Sequence, residues 1–208
     1  MDIWEPLTDR VGLYRSEAYP ICEDSLHLVR FARIRPRDRV LDLGTGNGIL
    51  AVYAMALYGG AYTGIDCDEQ ALALAEKSAL RNGQDIAFLH LSVIHAPAYF
   101  GHGAFTRILM NPPYFTSGDT GARALQRHGD ASLLSDWCRA AFLLLKNSGT
   151  LTLCYPADRL AALFRALEQN RFAPKRMDLV LSGRTARLAL VEAKKLGGDG
   201  LSITVSAR

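Results

Sequence analysis

The sequence has no long hydrophobic run. Its longest apolar-rich stretch, residues 49–57, is far shorter than the roughly 20 residues a bilayer-spanning helix needs, so no helical membrane anchor is expected. It has no basic-then-apolar opening either. Met1-Asp2-Ile3-Trp4-Glu5 carries no cationic lead, which argues against a secretory leader and gives the expectation of a cytoplasmic protein. Cysteine is sparse. Cys22, Cys67, Cys138 and Cys154 are scattered without a Cys-x-x-Cys pair and read as reduced, mostly buried thiols. Histidine is equally thin. His90, His95 and His102 lie near one another without metal-ligand spacing, so no metal is expected. Net charge is small, with 24 Lys+Arg against 21 Asp+Glu, and there is no repeat, low-complexity tract or linker.

What remains is the composition of a globular domain: 49% hydrophobic and 22% charged, which excludes disorder for the bulk of the chain. A length of 208 residues fits one domain, read as an N-terminal arm and helix over 1–38 and a core over 39–208. The positive charge is unevenly placed. Arg30, Arg33, Arg35, Arg37 and Arg39 have only Asp38 among them. Arg171, Lys175, Arg176, Arg184, Arg187, Lys194 and Lys195 face only Asp178 and Glu192. Such runs are either solvated faces or the electrostatic footprint of a polyanion.

Strand-like and helix-like segments alternate along the chain. Helices are expected over 25–32, 47–58, 69–81, 130–145 and 158–169, with Asp68 as an N-cap and Gly59-Gly60 as a stop. Strands are expected over 39–43, 61–65, 86–91, 106–110, 150–155, 177–181 and 188–193, with 201–205 as a short tail. Such alternation builds a parallel sheet with helices on both faces, whose ligands sit beyond the carboxyl ends of the strands.

Two motifs fall at those ends. The first is Asp42-Leu43-Gly44-Thr45-Gly46-Asn47-Gly48, between a strand and a helix. Its glycines allow close backbone approach to a ligand, and the helix offers free N–H groups and a positive dipole end. The Gly-x-Gly-x-Gly spacing differs from the Gly-x-Gly-x-x-Gly of pyrophosphate binders. Asp42 would repel a pyrophosphate but suits an ammonium, through water or the loop backbone. Asp66 ends the next strand, where a ribose diol is accepted. A ligand with a ribose, an ammonium and no phosphate meets these demands, namely S-adenosyl-L-methionine. The run Val40 to Leu50, followed by Gly64-Ile65-Asp66, resembles the first two motifs of class I methyltransferases. The resemblance implies an α/β, Rossmann-like fold with a seven-stranded, mostly parallel sheet. It also implies that Asp42, Gly44, Gly46 and Asp66 hold the cofactor.

The second motif is Asn111-Pro112-Pro113-Tyr114, after the fourth strand of the core. Pro-Pro is a poor continuation of a buried strand and makes a stiff loop. The Asn111 side-chain oxygen and the Pro112 carbonyl can each accept one N–H, and Tyr114 can stack on a planar group. Together they specify a flat substrate with an exposed NH2: an adenine, a cytosine or a glutamine amide. Holding both hydrogens favours a tetrahedral nitrogen and frees its lone pair. The tetrapeptide resembles the signature of amino-methyltransferases acting on adenine N6 or glutamine N5.

The wider pattern narrows the choice. Glu23-Asp24-Ser25-Leu26, Asn111 through Phe115, Ala122-Arg123 with Arg127-His128, Pro174-Lys175-Arg176 and Leu190 through Lys195 resemble the bacterial tRNA adenine-N6 methyltransferases. The resemblance implies that Asn111, Pro112 and Tyr114 hold the adenine and that Glu23 and Asp24 line the cofactor mouth, with Asn111 also beside the cofactor. Phe115, Arg123, Arg127 and Arg184 are expected on the RNA, with the basic runs gripping phosphates. About forty residues precede the first core strand, too few for the helical domain of the glutamine-specific relatives. Two positions depart from the family. Ser92 stands where an acid usually meets the adenine of the cofactor, and Thr106 stands where Asp is usual. The adenine end is then held more weakly, or by backbone. The polar loop 117–129, with three glycines, is expected to be mobile until RNA binds. A glutamine amide, a small-molecule acceptor and a non-catalytic RNA-binding role are the competing readings.

Overall fold

A computed structural model describes residues 1–113 and 130–206. Tyr114, Phe115, Arg123, Arg127 and the whole 117–129 loop lie outside the described residues.

The chain opens with a two-stranded antiparallel sheet, β1 (Ile3–Thr8) and β2 (Val11–Arg15). Then follow α1 (Glu23–Phe31), β3 (Arg39–Leu43), α2 (Ile49–Tyr58), β4 (Ala61–Asp66), α3 (Glu69–Arg81), β5 (Ala87–His90), α4 (Ala96–Phe100) and β6 (Phe105–Met110). The second half holds α5 (Asp130–Leu144), β7 (Leu145–Pro156), α6 (Leu160–Gln169), β8 (Phe172–Ser182), β9 (Thr185–Lys195) and β10 (Ser202–Ser206).

The main sheet has the order β10-β8-β9-β7-β6-β3-β4-β5. Among the described residues it is eight-stranded, one more than the seven expected. The tail read as a short end pairs in parallel with β8, from Ser202 on Arg176 to Ser206 on Val180. Among the described strands of this sheet, β9 alone runs against the rest.

Side chains alternate across the sheet with the period of two that a strand imposes. Val40, Leu109, Cys154, Leu188 and Leu190 point to a core shared with α1, α2, α3 and β2. Leu41, Leu43, Ile108, Met110, Leu151, Leu153 and Val191 point to the other core, under α4, α5 and α6. The helices thus cover both faces, as expected. No helix among the described residues is long and apolar enough to cross a membrane.

The N-terminal arm is more structured than the sequence suggests. Its hairpin lies against α3, where Gly12 N donates to Asn82 Oδ1 and Tyr14 N donates to Ser78 Oγ. Trp4 sits on Gly12, and Arg81 stacks over Trp4 at 4.1 Å. All four cysteines are free. Cys138 and Cys154 are buried as expected, but Cys22 is half-buried and Cys67 exposed.

The basic runs do not form one surface. Arg33, Arg35, Arg37 and Arg39 are exposed where α1 leads into β3, at the amino ends of the parallel strands. Arg171, Lys175, Arg176, Lys194 and Lys195 lie at that same end, and several have structural work. Lys195 Nζ donates to the carbonyls of Phe142 and Leu145 at 2.7 Å. Arg176 donates to Phe31 O and stacks on the Phe31 ring. Arg184 and Arg187 instead sit at the β8–β9 turn, at the carboxyl end of the sheet. The run splits because β8 and β9 are antiparallel neighbours, which carry sequence-adjacent charges to opposite ends of a sheet.

Candidate functional site

The register of the sheet assembles the site. Asp42 pairs with Leu109 of β6 and with Gly64 of β4. Two residues further along each parallel strand come Gly44, Asn111 and Asp66. Neighbouring strands are about 4.8 Å apart, so these three residues stand side by side at the carboxyl ends of β6, β3 and β4. Asp66 pairs in turn with His90 of β5, so Ser92 comes two residues beyond the row.

The glycine loop is held from two sides. Gly44 N and Thr45 N both donate to Ile65 O, at 3.0 and 2.8 Å. Gly46 N donates to Asp66 Oδ2 at 2.8 Å, while Asp68 N donates to Asp66 Oδ1 at 3.0 Å. Gly44, Gly46 and Gly48 all have positive φ, but for different ends. A Cβ on Gly48 would fall 2.8 Å from Ala75 Cβ, so this glycine serves packing. A Cβ on Gly46, at φ +54°, would meet nothing within 4 Å among the described residues, so no described side chain fills the space beside Asp66.

Asp42 lies beneath the loop. It is fully buried, and its Oδ2 accepts from Thr45 Oγ1 at 2.6 Å and from Ala51 N at 3.0 Å. Its Oδ1 is buried with no hydrogen-bond partner among the described residues. Burial pushes this carboxyl up from 3.8 to about 7, against the opposing pull of those two donors. Asp42 therefore shapes the loop and the first turn of α2 from below.

Asn111 is tied to α1. Its Nδ2 donates to Ser25 Oγ at 3.0 Å and lies 3.6 Å from Cys22 Sγ. With the nitrogen so engaged, the amide oxygen is the end left to accept a hydrogen. Pro112 is buried behind it. Asp24, on the same turn of α1, pairs with Arg187 Nη1 at 2.7 Å, so the start of the helix is tied to β9 as well. Ser92 Oγ is engaged locally with His95 Nδ1 at 3.0 Å, at the start of α4. Arg184 is exposed at the tip of the β8–β9 turn. Thr106 takes no part in this end of the molecule. It sits at the far end of β6, where its Oγ1 donates to Asp38 Oδ1 at 3.0 Å, so the departure noted there does not touch the loop.

A methyltransferase small domain profile matches residues 24–155 of the chain, well over half of its length. The chain belongs to that family. Members are class I enzymes whose cofactor is S-adenosyl-L-methionine. Over 144 residues, and 67% of its length, the chain is 38% identical to a tRNA (guanine(6)-N2)-methyltransferase of Thermus thermophilus, spanning 40% of that protein. Over 142 residues, and 66% of its length, it is 31% identical to a tRNA1(Val) (adenine(37)-N6)-methyltransferase of Vibrio campbellii, spanning 59% of it. The crystal structure of TrmN from Thermus thermophilus superposes with a TM-score of 0.67 at 32% identity, over 83% of this chain and 48% of that one. The chain thus spans between two fifths and three fifths of these relatives.

The loop fits the family's cofactor. Gly46 leaves a space, unfilled by any described residue, that a Cβ would occupy, and Asp66 keeps lone pairs beside it for a ribose diol. The sequence did not single out Thr45 or Ser25's bond to Asn111, and it read Arg187 within a phosphate-gripping run where the structure pairs it with Asp24. Their partners lie in other elements, and only Asp42-x-x-Thr45 has a local spacing that could have signalled its contact.

Proposed function

We propose that this chain transfers a methyl group from S-adenosyl-L-methionine to the exocyclic N6 amine of an adenosine in RNA, with tRNA as the substrate. The observation that carries the reading is the Asn111 amide, fixed by Ser25 on its nitrogen and left with its oxygen to accept, one strand away from Gly44.

The acceptor amine is a weak nucleophile because its lone pair is spread into the purine ring. The bound cofactor supplies an electrophilic methyl on a cationic sulfur. The chain's own part is orientation. Asn111 Oδ1 takes one N–H, and the stiff Asn111-Pro112-Pro113 backbone keeps that acceptor in place at little entropic cost. A fixed dipole aimed at the amine favours the pyramidal nitrogen over the flat one. No dedicated base is required if the proton leaves after transfer.

The two tRNA methyltransferases of Thermus thermophilus and Vibrio campbellii named above act on guanine N2 and adenine N6, which supports an exocyclic purine amine. One of them is a guanine-N2 enzyme, so the guanine amine is the second reading. Labelled cofactor, unmodified bulk tRNA and the purified chain test the proposal. Label in the RNA is expected; label in a release factor, with the RNA blank, would overturn it.

A further inference from the structure

The glycine loop has a neighbour that neither motif contains. Trp137 lies on α5, half-buried, and packs on the core that includes Leu43, Ile65 and Val93. A Cβ on Gly44 would fall 2.4 Å from Trp137 Cη2 and 2.7 Å from Cζ3. The outer edge of the indole therefore rests on the loop backbone, in the row formed by Asn111, Gly44 and Asp66. Absence of a side chain at Gly44 admits this ring. Absence of one at Gly46 leaves a space that no described residue fills. Leu89 and Leu91, also partly buried, pack on the same core from the β5 side.

We propose that Trp137 is a cofactor-binding residue whose indole forms an apolar side wall of the S-adenosyl-L-methionine site. A ligand seated on the backbone from Gly44 to Gly46 meets the ring that rests there. The ring has two side-chain torsions, and its core contacts already restrict them, so little entropy is lost when it serves as a wall. An apolar wall also removes water from the loop N–H groups and strengthens polar contacts made on the other side. The proposal rests on the glycine loop being the cofactor site.

The sequence has two tryptophans, Trp4 on the hairpin and Trp137. The emission of Trp137 is thus the difference between the wild-type chain and Trp137→Phe. Titration with S-adenosyl-L-methionine should change that difference spectrum saturably, with a midpoint equal to the Kd from equilibrium dialysis. Trp137→Ala should weaken dialysis binding about tenfold, the loss expected for one buried aromatic contact. Dialysis binding with a flat difference spectrum overturns the proposal. So does a Trp137→Ala chain that melts cooperatively and binds within about twofold of wild type. Absence of dialysis binding by the wild-type chain overturns the loop as the cofactor site, and the proposal with it.

Discussion

Asn111 Nδ2 donates to Ser25 Oγ across 3.0 Å, a bond between residues 86 positions apart. The first turn of α1 thereby decides which end of the Asn111 amide is offered to a substrate. Ser25→Ala removes one buried neutral hydrogen bond, worth about 1 kcal/mol. Its kcat should fall about fivefold with cofactor affinity within about twofold, since the loss acts on orientation and not on the loop. Asn111→Ala should abolish turnover and leave cofactor affinity within a few fold. Radiometric transfer assays and calorimetry separate the two effects. Loss of turnover and affinity together would remove Asn111 from the acceptor side.

The three loop glycines should separate in function. Gly46→Ala places a Cβ in the space beside Asp66 at a backbone strain of roughly 1–2 kcal/mol, so cofactor affinity should fall more than about tenfold while the fold survives. Gly48→Ala meets Ala75 at 2.8 Å on top of the same strain and should lower Tm more than Gly46→Ala does. Thermal melts and equilibrium dialysis on both variants check the order. Wild-type affinity in Gly46→Ala would place the cofactor elsewhere.

Asp42 predicts a pH dependence. Its folded carboxyl titrates near about 7, above its ordinary 3.8, so the folded state holds the proton more tightly than the unfolded one. The stability this contributes is complete below about 3.8 and is lost as pH rises through about 7. Asp42→Asn keeps an acceptor for Thr45 and Ala51 but does not ionise. Without cofactor, the wild-type Tm should therefore fall relative to that of Asp42→Asn between pH ~5 and ~8. Parallel melting curves across that range would contradict the assignment.

Arg184 tests the RNA side. It is exposed at the same end of the sheet as Asn111, whereas Arg35 is exposed at the opposite end. Arg184→Ala should weaken tRNA binding across sequences and reduce the slope of log K against log salt by about one. Arg35→Ala should leave both unchanged. Filter binding at several salt concentrations reads the difference.

The alternation of elements was legible because the central strands are short apolar runs and the main helices end at glycine or Asn-Gly stops. Thus the expected strand at 39–43 is β3, and the expected helix at 69–81 is α3, capped by Asp68 as read. β10 was not legible as a sheet strand. Every residue in it is exposed, so no buried face imprints a period. The hairpin was missed because β1 has only half-buried and exposed positions and contains Pro6. In the site, the row of Gly44, Asp66 and Asn111 follows from strand ends and could be read ahead. The burial of Asp42, the Ser25 bond and the Trp137 contact could not, because each depends on which helix face lands on the loop.

The identity of the methylated nucleoside tests the central claim most directly. Unmodified tRNA treated with the chain and S-adenosyl-L-methionine, digested and resolved by nucleoside mass spectrometry, should contain N6-methyladenosine, and the Asn111→Ala reaction should not. Methyl on guanine N2, or on no nucleoside at all, would contradict the account.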